Sequence, residues 1–128
     1  MNRIANFTLV LMVLIIAGRI VSSAANGPNK GWLEQGLLYA TGYVQNQPSY
    51  LDNNRHAMQS RVRVIIEDSD SNISYSGYSY TVAASSTTDT TVYTAERQCI
   101  AVNNTVYVQY AFRWSPNWNW SMDFEEVE

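Results

Sequence analysis

Asn117, Trp118, Asn119 and Trp120 lie in the run RWSPNWNWSM near the C-terminus and combine two residue types that a glycan site uses. A tryptophan ring offers a flat apolar face to a sugar ring, and carboxamides exchange hydrogen bonds with its hydroxyls. In an extended segment, Trp118 and Trp120 project to one side and the two asparagines to the other. A mixed grip on one sugar therefore requires a twist, and Pro116 ends the preceding strand and frees that register. The competing role is structural, with the tryptophans closing the end of a small core.

A second constellation is EDSDSN, where Asp68, Asp70 and Asn72 fall at D-x-D-x-N spacing. Alternate oxygen ligands at that spacing surround a calcium ion when a loop curls. The full loop also needs a glycine and a distal glutamate, and those positions hold Ile73 and Ser79. The same residues serve equally as a solvated acidic turn.

Other chemistries lack their parts. His56 is the single histidine, Cys99 the single cysteine, and no G-x-S-x-G elbow is present. One histidine and one cysteine do not make a zinc site, and the six glycines are scattered rather than gathered into a phosphate loop. We expect a protein without catalytic activity or cofactor. Cys99 has no internal partner, so it reads as a buried small hydrophobe or as half of an intermolecular disulfide. Four N-x-S/T sequons, at Asn6, Asn72, Asn103 and Asn119, permit glycosylation but are close to the number that composition alone would produce.

The elements that must carry these residues read as strands. Gln59 to Asp68 alternates, with Val62, Val64 and Ile66 on one face and Arg61 and Arg63 on the other. Asn104 to Trp114 places Val106, Val108, Tyr110, Phe112 and Trp114 on one face, with Thr105, Tyr107, Gln109 and Arg113 opposite. Tyr75 to Ala84 assigns Tyr78, Tyr80 and Val82 to one side and Ser79 and Thr81 to the other. Asp89 to Val102 is strand-like, but neither parity stays apolar through Glu96 to Gln98, which predicts a bulge or a register slip. Asn103-Asn104, tolerant of positive φ, predicts a hairpin into the next strand. Leu37 to Gln45 predicts a first strand, and PSYLDNN, DSDSNIS and SSTTD read as linkers. The resulting fold class is all-β, a small antiparallel sandwich or barrel of about five to seven strands.

At the N-terminus, Arg3 precedes the apolar run Thr8 to Gly18 and the small residues VSSAA. This is the pattern of a secretory signal peptide helix over 1–25, with Ser23 and Ala25 at the cleavage positions and a domain at 26–128. An uncleaved anchor, with Arg19 snorkelling, and a filament-assembly helix are the alternatives. Removing 1–25 leaves six basic residues against eleven acidic ones, so nucleic acid and anionic lipid are poor partners. The Ser/Thr-rich stretch Ser74 to Thr94 has the alternation of an inserting pore-forming hairpin as well as that of an ordinary strand.

The functional expectation is a secreted, extracellular binding protein for a glycan or other cell-surface component. A secreted antimicrobial or pore-forming effector and a structural subunit of a surface filament or coat are the other readings. Membrane contact would come through an uncleaved N-terminus or the hairpin.

Overall fold

The structure, a computed structural model, describes residues 19–21, 27–52, 55–114, 119–120 and 124–127. The apolar run 8–18, Asn117 and Trp118 lie outside these residues. Every regular element among those described is a strand. In chain order they are β1 (Arg19–Val21), β2 (Lys30–Gln35), β3 (Tyr39–Asn46), β4 (Leu51–Asp52), β5 (Arg55–His56), β6 (Gln59–Glu67), β7 (Ile73–Tyr75), β8 (Ser79–Tyr80), β9 (Tyr93–Ile100), β10 (Thr105–Arg113) and β11 (Phe124–Val127).

Two antiparallel sheets result. The first has the order β1-β2-β3-β9, and the second β11-β10-β6-β7, with β8 also pairing with β6. β4 and β5 form a separate two-stranded ladder. Arg19–Val21, within the segment expected to be a leader helix, pair with Glu34–Trp32 as a strand, which suits β-branched Ile20 and Val21.

Alternation explains the core. Leu33, Ala40 and Val44 of the first sheet meet Val62, Val64, Val106, Val108, Tyr110 and Phe112 of the second, all buried. Each large side chain fully removed from water contributes about 1.5–3 kcal/mol. Gly42 lets the sheets close: a Cβ there would lie 2.7 Å from Val108 Cγ2 and 3.2 Å from Val62 Cγ2. Trp114 stacks on Phe112 at 5.9 Å and belongs to this core, as its parity predicts.

Several local expectations are corrected. Lys30–Gln35 is a strand of its own, joined to β3 by a tight turn in which the Gly36 N–H donates to the Tyr39 carbonyl at 2.7 Å. β9 runs beside β3 in unbroken register from Tyr93 to Ile100, with no bulge. Its parity is consistent once Arg97 is recognised as an inward-parity residue left exposed. Asn103 takes the expected positive φ of 57°, but its turn carries the chain between sheets, because β9 pairs with β3 and β10 with β6. The stretch read as linker, 48–54, supplies β4, which pairs with Arg55–His56 of β5.

Along 78–82 the inward side is the one that carries Thr81. Val82 is exposed and Thr81 is buried, because Thr81 completes a polar pin between the sheets. Asn46 Nδ2 donates to the Ala57 carbonyl at 2.7 Å, while its Oδ1 accepts from Ser60 Oγ at 2.7 Å and Thr81 Oγ1 at 3.1 Å. The Ser60 N–H donates to Thr81 Oγ1 at 2.9 Å. Ser74 to Thr94 is not a hairpin here: β8 pairs with β6, β9 pairs with β3, and residues 81–92 between them form no strand.

Candidate functional site

Period-2 alternation in β2, β3 and β9 sends alternate side chains to the outer face of the first sheet, and pairing places them in rows. Lys30 lies opposite Gln45, which lies opposite Thr94. The next row is Trp32, Tyr43 and Glu96, and the third is Glu34, Thr41 and Gln98. In the middle row the Trp32 and Tyr43 rings stack at 5.1 Å between centroids and 11° between planes. Such a pair contributes about 0.5–1.5 kcal/mol beyond its buried area and holds both rings upright.

Both rings line a cleft of about 560 Å³ with Gln45, Thr94, Ala95 and Glu96, closed on the far side by Ser79 and Tyr80 where β8 nears β9. Lys30 Nζ lies over the Trp32 ring at 5.8 Å. Burial first, then the charges of Glu34 and Glu96 and a hydrogen bond to Glu34, push the Tyr43 hydroxyl above its usual pKa. The cleft therefore offers aromatic surface, an amide, a hydroxyl and one carboxylate.

On the second sheet, aromatic rings are already occupied. Arg61 lies 4.3 Å from the Tyr78 ring centroid and 4.6 Å from that of Trp120, and Arg63 lies 4.3 Å from that of Tyr75. Arg113 lies 5.0 Å from Trp120. Arg63 Nε donates to Gln109 Oε1 at 2.6 Å and Arg113 Nε to Gln59 Oε1 at 2.8 Å, which fixes both guanidinium groups. Gln109, expected to look out, is buried beneath this lattice.

Of the residues singled out from sequence, Trp120 is half-buried against Arg61, Arg113 and Tyr80, and Asn119 is exposed. Trp120 stands one ring behind Tyr80 and does not line the cleft. Asn117 and Trp118 fall outside the described residues.

Asp68 turns its carboxylate inward on its own loop. Oδ1 accepts from the Asp70 and Asn72 N–H groups at 2.8 and 2.9 Å, and Oδ2 accepts from Asn72 Nδ2 at 3.2 Å. These bonds, that from the Asn72 N–H foremost, hold the Asp68 carboxyl below its usual pKa despite a small opposing desolvation. Asp68, Asp70 and Asn72 thus build a turn, with Ser71 at φ 66°, and the Asp68 oxygens are engaged by protein donors. Among the described residues, no three His, Cys, Asp or Glu side chains gather as a metal site would require.

His56 Nδ1 lies 2.6 Å from the Pro48 carbonyl, which can only accept, so this nitrogen carries the proton and pins the loop. Cys99 is half-buried against the core.

Sequence reasoning overlooked Trp32 and Tyr43 as a pair. The available signal was Gly36: a turn there folds 30–46 into a hairpin and sets Trp32 opposite Tyr43. Comparison of the chain with protein-family models, curated proteins and solved structures returns no match.

Proposed function

We propose that the protein is a secreted, non-catalytic β-sandwich module that binds a glycan in the cleft beside Trp32 and Tyr43. The observation that carries this reading is the stacked pair itself, set in a cleft of about 560 Å³ beside Gln45, Thr94 and Glu96. That volume lies within the roughly 300–1,000 Å³ of small-molecule sites. A sugar ring packs its C–H face on aromatic surface while its hydroxyls bond the amide, the hydroxyl and the carboxylate. Secretion rests on the sequence of 1–25. Cleavage after Ala25 would also remove β1 and leave β2, with Trp32, at the sheet edge.

The pore-forming alternative finds less support. Residues 74–94 would have to leave pairings in two different sheets before forming a hairpin.

The test is tryptophan fluorescence titrated with a panel of oligosaccharides, on the native protein and on Trp32→Ala and Tyr43→Ala. Saturable binding to one glycan, weakened at least about tenfold by either substitution, is expected, since tenfold is 1.4 kcal/mol of lost contact. A flat response to every glycan, or binding indifferent to both substitutions, refutes the reading. Intact mass of the protein from its own host tests the leader separately, and a mature start at Asn26 is expected.

A further inference from the structure

We infer that the cleft selects a sugar bearing a protonated amine, so that the ligand class is a free amino sugar or an oligomer of it. This rests on the glycan reading and specifies its chemistry. Glu96 is the charged residue among those lining the cleft, and it is exposed on the strand beside Tyr43. A carboxylate adjoining aromatic rings is the pairing that an ammonium group recognises, through a charge-assisted hydrogen bond and attraction to the ring faces.

A second observation points the same way. The ammonium of Lys30, at 5.8 Å, already lies over the Trp32 ring, so that ring takes a cation within the protein's own structure. Lys30 is only a loose occupant, because a ring centroid attracts cations within about 6 Å and this one lies near that limit. A sugar acid would instead meet Glu96 as a like charge, and an N-acetylated sugar would bring no charge for it.

Lys30 gives the inference its sharpest consequence. For a cationic ligand it is both a competitor for the Trp32 ring and a source of repulsion. For a neutral ligand it competes for the ring but does not repel.

The experiment titrates the full chain with glucosamine tetramer and with N-acetylglucosamine tetramer at about pH 6, where aliphatic amines are protonated. Glucosamine tetramer is expected to bind at least about tenfold more tightly, a difference of 1.4 kcal/mol. Glu96→Gln should reduce that ratio to within about twofold, and Lys30→Met should tighten the glucosamine oligomer more than the acetylated one. Both positions are on the outer face, and thermal melts of both variants check the fold. Equal affinity for the two oligomers, or a ratio unmoved by Glu96→Gln, overturns the amine inference and leaves the glycan reading standing. Failure of both oligomers to bind while another glycan binds at Trp32 also overturns it, and failure of every glycan removes the cleft reading as well.

Discussion

Asn46 is fully buried, yet it is the joint through which β3, β6 and the segment after β8 share hydrogen bonds. Asn46→Ala removes the donor to the Ala57 carbonyl, in a residue that is 1% exposed, so water does not readily replace it. Leaving that acceptor unpaired costs about 1–3 kcal/mol. Ser60 and Thr81 also lose their shared acceptor, although their hydroxyls remain 3.4 Å apart and Thr81 Oγ1 still reaches the Ser60 carbonyl at 3.3 Å. With the vacated side-chain volume, the expected loss is about 3 kcal/mol, or roughly a 10 °C fall in Tm. Thr81→Val keeps the shape but removes the acceptor of the Ser60 N–H, for a loss of about 1–2 kcal/mol. Because the two residues share one bond, the double variant should lose less than the sum, by about 0.5–1.5 kcal/mol. Urea unfolding followed by tryptophan fluorescence measures all three. A loss below about 1 kcal/mol for Asn46→Ala, or strict additivity, would refute the view that this network joins the sheets.

Gly42→Ala should destabilise by about 1–3 kcal/mol in the same assay, because its Cβ would press into Val108, Val62 and Val64 where the sheets approach; an unchanged urea midpoint would show that the sheets can part to admit it. Asp68→Asn should alter the acid limb of the stability profile. The folded-state pKa of Asp68 is depressed, so its contribution is present above the unfolded value of about 3.9 and is lost as pH falls through the folded one. The gap in urea midpoint between wild type and variant should therefore close below about pH 4, and a gap of constant size would contradict the turn's electrostatics. Trp120→Ala should lower stability by about 1–2 kcal/mol through lost contacts with Arg61 and Arg113, without weakening glycan binding at the cleft. A loss of glycan affinity comparable with that of Trp32→Ala would return the site to the C-terminal tryptophans.

Legibility followed the contrast between strand faces. β6 and β10 each bring valines to one face and arginine or glutamine to the other, so their register could be read without knowing any partner. Thr81 could not, because what makes its burial tolerable is Asn46, 35 residues earlier, and Ser60, 21 residues earlier. A pattern of period two cannot contain that information. The β2–β3 turn was obscured by Leu37 and Leu38, which look like strand interior yet are 93% and 56% exposed at the tip. With that turn unread, Trp32 and Tyr43 were two isolated aromatics rather than a cross-strand pair, and the densest tryptophan run drew attention instead. Asp68 to Asn72 had ligand-like spacing, but spacing does not reveal which donors a carboxylate meets first. Here they are the loop's own amides.

The same distinction decides between the two aromatic surfaces. An aromatic ring binds a sugar with the face it has left. Tyr75, Tyr78 and Trp120 have guanidinium groups at 4.3–5.0 Å, and two of those arginines, Arg63 and Arg113, are further held by glutamine side chains. Stacking a sugar there means giving up a cation–π contact of about 0.5–2 kcal/mol for each ring. Beside them, across the Tyr80 ring, Trp32 and Tyr43 brace each other and line an open cleft, and Lys30 lies over Trp32 at 5.8 Å on a flexible stem. Moving that lysine aside costs little, and an incoming ammonium restores the contact it gave up. Aromatic content alone favours the C-terminal run; the cleft and its polar lining favour the paired rings of β2 and β3.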